Sequence, residues 1–181
     1  LSQANLESAN FDRANLYGTK FIGANLSRAN LSQLNLSLQV ELSGANLSGA
    51  NLSKVNLRKA QLTEVNLSDA NLSHANLLEA NLGSTNLQRV KLHQAIYSST
   101  TIFPSSFNPT KAGAYLIAPN TAISNANLAA FDLSGVNLTG ANLSQANLNA
   151  TNLNSADLSE ANLNKANLHQ ANLQNIKLLQ A

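Results

Sequence analysis

From Leu42 to Leu92 a leucine stands at every fifth residue, and the residues around it repeat as Ala-Asn-Leu-Ser-Xaa. A fixed period makes the chain a stack of near-identical units, so it constrains the fold before any local pattern does. Five suits neither regular structure. On an α-helix, ~100° per residue carries leucines five apart ~140° around the cylinder, so they form no apolar stripe. In a straight strand an odd period sends successive leucines to opposite faces. The leucines share one interior only if the chain turns a corner in every pentad and lays each coil on the one below, which is a β-solenoid.

With the leucine as centre, i, position i−2 is small, as in Ala45, Ala50, Val55 and Ala60, and again in Ala141, Ala146, Thr151 and Ala156. Residues two apart share a face, so the small residue points inward beside the leucine. Position i−1 is mostly Asn, as in Asn46, Asn51 and Asn142, and points outward. Positions i+1 and i+2 carry Ser, Gln, Lys, Arg, Glu and Gly. They suit a solvated corner, where Asn and Ser bond their own backbone.

This pattern, A(N/D)LSX over Leu1 to Leu92 and Ile123 to Leu178, closely resembles the pentapeptide-repeat family. The resemblance implies an all-β fold, a right-handed quadrilateral β-helix with four pentads per coil. Charges offer a check on the square. Residues on adjacent coils would stack ~4.8 Å apart, where opposite charges attract. Lys59 and Glu79, Asp69 and Arg89, and Asp157 and Lys177 are opposite pairs twenty residues apart.

The register slips twice. Leu36 and Leu42 are six apart, so Ser37 to Glu41 holds one extra residue, expected to bulge at a corner. The pentads then decay after Leu92, which divides the chain into a solenoid over 1–94, an interruption over 95–122 and a solenoid over 123–181 continuing the same domain. All three prolines, Pro104, Pro109 and Pro119, lie in the interruption. Asn108-Pro109 followed by Thr110 to Ile117 reads as an N-cap and a short helix stopped before Pro119. Proline and phenylalanine interruptions of this kind resemble those of cyanobacterial pentapeptide-repeat proteins.

Composition bounds the function. The 181 residues include no cysteine, so disulfide and thiol chemistry are excluded, and 11% are charged, with a formal net charge of +2. No apolar run is long enough to span a membrane. Leu1 already stands at a central position, so the chain reads as a piece of something longer. A signal peptide before it would place the protein in the periplasm or thylakoid lumen, and without one it would be cytoplasmic.

His74, His93 and His169 all fall at outward positions, and only His74 and His93 share a face on neighbouring coils. Two histidines without a third ligand make no zinc site. Asp132, Asp157 and Glu160 are scattered, and no serine has recurrent histidine and acid partners. The chain therefore reads as a non-enzymatic structural or protein-interaction scaffold, with no cofactor, metal or small-molecule substrate and an unidentified protein partner. The ends of such a stack are candidates for end-to-end self-association. The family resemblance supplies an alternative, a mimic of duplex DNA that binds DNA gyrase. Mimicry needs dense negative charge, and 11 Lys and Arg against 9 Asp and Glu provide none. Direct nucleic-acid binding is disfavoured because Arg58-Lys59 is the sole adjacent basic pair. The interruption gathers Phe103, Phe107, Lys111 and Tyr115 as a candidate interaction surface. The competing structural reading has Phe103, Phe107, Tyr115 and Leu116 cover the apolar side of a distorted coil.

Overall fold

A computed structural model of the protein describes residues 1–37 and 40–181. The chain divides into unit 1, Leu1–Ala114, and unit 2, Tyr115–Ala181. In unit 1 parallel pairing joins residues twenty or twenty-one apart, as in Asn5 with Asn25, Asn25 with Asn46, and Asn46 with Asn66. Unit 2 pairs every described residue in its ladders at twenty, from Ala122 with Asn142 to Asp157 with Lys177. Both units are all-β, right-handed quadrilateral coils with four pentads to the turn. The pairing columns sort unit 1 into four faces. Face 1 is centred on Leu6, Leu26, Leu47, Leu67 and Leu87, and face 2 on Phe11, Leu31, Leu52, Leu72 and Leu92. Face 3 is centred on Leu16, Leu36, Leu57, Leu77 and Tyr97, and face 4 on Leu1, Phe21, Leu42, Leu62 and Leu82.

One pentad shows why its residues are what they are, because every backbone N–H in it has a partner. The Ala45 N–H closes the preceding turn on the Leu42 carbonyl (2.9 Å), and the Asn46 N–H donates down to Ala24 (2.9 Å). The Leu47 and Gly49 N–H groups donate up to Asn66 and Ser68, each at 2.8 Å. Only the Ser48 N–H lacks a backbone acceptor. It donates to the Asn46 side-chain Oδ1 at 3.2 Å. Asn at i−1 is thus the residue that satisfies the one N–H the coil geometry leaves over.

The corner has a second requirement. Position i+2 adopts a left-handed conformation, for example Gly44 at φ 66°, Lys54 at φ 59° and Gln145 at φ 60°. A positive φ at the third residue of a four-residue turn is the type II pattern. Asp, Glu, Lys and Gln together hold this conformation more often than Gly does here, so the closed ladder imposes what local preference resists.

Inside, the centres and their small neighbours exclude water. Leu26, Leu31, Leu36, Leu67, Leu72 and Leu77 are fully buried in unit 1, and Leu133, Leu143 and Leu153 in unit 2. Ala29, Ala50, Ala70 and Ala146 fill the space beside them. Burying a leucine contributes ~1.5–3 kcal/mol relative to leaving it exposed, so this repeated filling is the main stabilising term.

Two expectations about the slips fare differently. The bulge expected within Ser37 to Glu41 falls in part on residues 38 and 39, which lie outside the described residues. Its effect on register is nevertheless visible, since Lys20 pairs with Glu41 and Asn35 with Asn56, both twenty-one apart. The helix expected over 109–117 does not form, and residues 109–113 make a hydrogen-bonded turn instead. Asn108 does cap it, its Oδ1 accepting from the Lys111 N–H at 2.9 Å, and the Ala112 N–H reaches the Asn108 carbonyl at 3.2 Å. Gly113 then takes φ 93°, the Ala114 N–H closes on the Pro109 carbonyl, and residues 115–117 run extended as a strand. The left-handed glycine ends the turn as a helix C-terminal cap would, and the β-favouring Tyr and Ile follow as strand.

The coil does not stop at Leu92. Strand β1, Ile96–Ser98, begins the irregular stretch, and β2, Tyr115–Ile117, opens unit 2. Tyr97, Phe103, Phe107 and Ala112 pack against the leucine core of unit 1 as half-buried residues. Ile102 pairs with Asn81 at a separation of twenty-one, so a second extra residue lies between Ile96 and Ile102.

Candidate interaction faces

Asparagines at i−1 join the coils through their side chains as well. On face 1 of unit 1 the Asn25 Nδ2 donates to Asn5 Oδ1 (3.0 Å), Asn46 to Asn25 (3.2 Å), Asn66 to Asn46 (3.0 Å) and Asn86 to Asn66 (3.1 Å). Unit 2 carries a shorter ladder in which Asn172 donates to Asn152 (3.0 Å) and Asn152 to Asp132 (2.8 Å). A carboxylate can only accept, which suits Asp132 to the first rung. These ladders fix the outward side chains in columns with one member per coil.

Charges occupy the same columns. The three pairs predicted from spacing all form: Lys59 to Glu79 at 3.5 Å, Arg89 to Asp69 at 2.6 Å and Lys177 to Asp157 at 3.5 Å. Arg89 makes a second bond to Asp69 at 2.7 Å, and this guanidinium holds the Asp69 carboxyl below its ordinary range. Asp157 is lowered chiefly by the hydroxyl and N–H of Ser159, with Lys177 adding to the effect. Three further pairs lie twenty-one apart, Lys20–Glu41 (2.8 Å), Arg28–Glu7 (3.3 Å) and Arg58–Glu79 (3.0 Å). The twenty-residue rule missed the first because of the extra residue, and the other two because they run diagonally between neighbouring columns. Exposed pairs of this kind contribute ~0.2–1 kcal/mol each, so they shape the surface more than they hold it together.

The pairing leaves a remainder. In unit 1, among the described residues, Lys54, Lys91 and Lys111 make no ion pair, and all three are exposed. They lie on one face, face 2. His74 and His93 lie between them, their rings edge-on with centroids 6.1 Å apart. Partial burial is the largest cause holding His74 below the ordinary imidazole range, followed by His93 and Lys54. The register is fixed by the His74 N–H donating to the His93 carbonyl (2.9 Å) and the Gln94 N–H to Gly113 (2.8 Å). Lys111 therefore follows Lys91 one coil further on, twenty residues later. That relation was readable in the sequence, had the spacing rule been carried into the interruption.

The four residues singled out in the interruption separate. Phe103 and Phe107 stack with centroids 5.5 Å apart, and Tyr97 meets Phe103 edge-on at 5.6 Å. The Tyr97 hydroxyl bonds Thr110 Oγ1 at 2.8 Å. Both phenylalanines are thus engaged in packing, Lys111 is exposed, and Tyr115 is half-buried at the start of β2 in unit 2. Two outward positions of face 3 also depart from the pattern. Ile96 replaces an asparagine and Leu78 a corner serine, and both are shielded from solvent, as is Asn76.

Fold and surface together define a β-solenoid of five-residue repeats whose outward side chains stand in ordered columns. The model of pentapeptide repeats matches eight copies, over residues 1–37, 41–77, 66–96, 123–159 and 141–178. The chain belongs to the pentapeptide-repeat family. Among solved structures, a pentapeptide-repeat protein from Nostoc PCC 7120 is 34% identical over 64% of this chain and 82% of that one, with a TM-score of 0.37. HetL, involved in heterocyst differentiation regulation in the cyanobacterium Nostoc sp. strain PCC 7120, is 28% identical over 97% of this chain and 79% of its own, with a TM-score of 0.33. QnrB1, a plasmid-mediated fluoroquinolone resistance protein, is 19% identical over 97% and 91%, with a TM-score of 0.34. No curated protein matches the chain in sequence. Among the described residues, no helix is long and apolar enough to cross a membrane.

Proposed function

We propose that the chain is a non-enzymatic scaffold that binds a protein partner along an outward face of its coils. The observation that carries this reading is the ordering of the outward side chains: asparagine ladders and ion pairs fix them in columns. A partner meeting such a face finds its contacts already positioned, which reduces the entropy lost on binding. The interior supports the same reading, since Leu26 to Leu82 fill it from within. Solenoids commonly use their extended surfaces in this way.

The test is a face scan. Four variants, each with the exposed i+1 and i+2 side chains of one face of unit 1 replaced by serine, are immobilised and compared for capture of proteins from a cell lysate. The reading predicts that one face variant loses a partner that the other three retain. Loss of no partner by any of the four, or equal loss by all, would contradict it. The gyrase reading has no electrostatic support, because the surface carries net charge +2 where mimicry of phosphates needs dense negative charge. The chain is expected to leave DNA supercoiling by gyrase uninhibited.

A further inference from the structure

We infer that face 2 of unit 1 is a docking face for an acidic, extended protein segment, which Lys54, Lys91 and Lys111 engage. The inference rests on the scaffold reading and names the partner's chemistry. Its basis is how the cations are distributed. Lys20, Arg28, Arg58, Lys59 and Arg89 are each paired with an acid on a neighbouring coil. Arg13 lies 3.8 Å from its chain neighbour Asp12. Among the described residues of unit 1, the three lysines left over fall on one face, and the pentads that carry them, with the one between, hold no Asp or Glu: Ala50 to Lys54, Ala70 to His74, Val90 to Gln94 and Lys111 to Ala114.

Asp12, on the first coil of the face, lies beside Arg13, and Asp69 stands at the corner leading onto the face. It feels Lys91, but it is held by Arg89 through two hydrogen bonds. Glu64, the exposed acid of unit 1 that no ion pair engages, leaves the corner of face 4, two pentads away around the coil. Face 2 is therefore a cationic strip on a nearly neutral molecule.

Geometry and residue type favour a protein over other polyanions. Coils stack ~4.8 Å apart, and an extended segment repeats its side chains on one face every ~6.6–6.8 Å, a mismatch that flexible lysine stems absorb. Single-stranded nucleic acid is held by stacking on large aromatic rings and duplex phosphates by arginine forks, and the pentads of the strip from Lys54 to Lys111 contain no Phe, Tyr, Trp or Arg. The exposed apolar side chains that a lipid surface would want, Tyr17, Ile22 and Ile102, belong to faces 3 and 4. His74 makes the strip responsive to pH. The groups around it are His93, Lys54 one coil below, Lys91 and Lys111 alongside, and the Asp69–Arg89 pair at the edge. Protonating the His74 imidazole, which is held below its ordinary range, adds positive charge, so an acidic segment binds more tightly as pH falls below about 6.5 until its own carboxylates protonate near pH ~4.

The experiment uses the full chain and a fluorescein-labelled peptide of alternating Glu and Ser, read by fluorescence anisotropy at about 0.05 M salt, where surface charges are weakly screened. The triple variant K54Q/K91Q/K111Q is compared with K20Q/K59Q/K165Q, which removes the same charge elsewhere. Binding is expected to weaken about tenfold or more in the first and less than about twofold in the second, with thermal unfolding of the first unchanged. Equal loss in both triples, no binding by the unaltered chain, or tighter binding of an equally charged oligonucleotide or anionic vesicle would overturn the proposal. The scaffold reading is judged separately by lysate capture. A partner that the K54Q/K91Q/K111Q variant retains fully would refute the acidic docking face and leave the scaffold standing. No face-dependent capture by any variant would refute the scaffold.

Discussion

Unit 2 keeps one register from Ala122 to Lys177, whereas unit 1 moves from twenty to twenty-one residues and back, and then to twenty-one again at Ile102. The stacking bonds barely register the change. The Leu26 N–H reaches Asn46 at 2.7 Å across the first slip, and the Leu47 N–H reaches Asn66 at 2.8 Å where the repeat is regular. Beyond each extra residue the coil resumes because the N–H groups of a regular pentad find the same set of partners on the neighbouring coils. The units differ in charge too. Unit 1 holds nine Lys and Arg against six Asp and Glu, and unit 2 holds two against three. Five of the six cross-coil ion pairs named above consequently lie in unit 1, and the sixth, Lys177–Asp157, lies in unit 2.

The largest test of this comparison asks whether the two cores are equivalent. Leu72→Ala in unit 1 and Leu148→Ala in unit 2, both fully buried, should each destabilise by ~2–5 kcal/mol, while Ser73→Ala changes stability by less than ~0.5 kcal/mol. Urea midpoints measure all three. A small effect at Leu148 alone would mean that unit 2 is not packed as unit 1 is.

Next in size is the asparagine ladder. Asn46 donates to Asn25 and accepts from Asn66 and from the Ser48 N–H, whereas Asn162 accepts only from the Asn164 N–H. At ~0.5–1.5 kcal/mol per hydrogen bond, Asn46→Ala should cost about 2 kcal/mol and Asn162→Ala about 1 kcal/mol. Equal costs would show that the cross-coil amide bonds contribute nothing.

The corners give smaller effects of opposite sign. Gly44 has φ 66° and no atom closer than 4.0 Å to an added Cβ, so Gly44→Ala tests backbone conformation alone, at a cost of about 1 kcal/mol. Ala130 holds φ 60° with no polar side chain to compensate. Ala130→Gly relieves ~1–2 kcal/mol of left-handed strain against ~0.5–1 kcal/mol of added chain entropy, a net gain of about 0.5 kcal/mol. Thermal unfolding of both variants checks the signs.

The smallest effect is a pH slope confined to unit 1. The pKa of His74 is lowered in the folded state, so below about pH 6.5 the unfolded chain binds more protons at this residue than the folded chain does. Stability at this residue therefore falls with pH from about 6.5 down through the lowered folded value. His74→Gln should flatten the stability profile over that window. An unchanged profile would remove His74 as the source.

Much of this was legible because the repeat makes each residue's neighbours countable. The inward leucines and alanines, the Asn-capped corners and the pairs at Lys59, Arg89 and Lys177 all followed from position within the pentad and the twenty-residue spacing. What failed was local reading where the repeat decays. Asn108-Pro109 is a sound helix start, but Gly113 and the β-favouring Tyr115 to Ile117 hold it to a single turn. The diagonal pairs Arg28–Glu7 and Arg58–Glu79 needed coordinates, since long side chains reach across columns. The cationic strip was missed for a simpler reason: it becomes visible only after every paired cation has been set aside.

The register of the coils and its one-residue shift can be read by engineered disulfides, because the sequence contains no cysteine. Cysteines replacing Asn25 and Asn46, paired at twenty-one, and Asn46 and Asn66, paired at twenty, stand in neighbouring coils ~4.8 Å apart, within disulfide reach. A third variant joins Asn25→Cys to Ala45→Cys, twenty apart across the slip, where Ala45 points into the core. The first two pairs are expected to oxidise rapidly with mild oxidant, seen by mass spectrometry under non-reducing conditions, while the third pair stays reduced. A disulfide between positions 25 and 45, with positions 25 and 46 left reduced, would contradict this register.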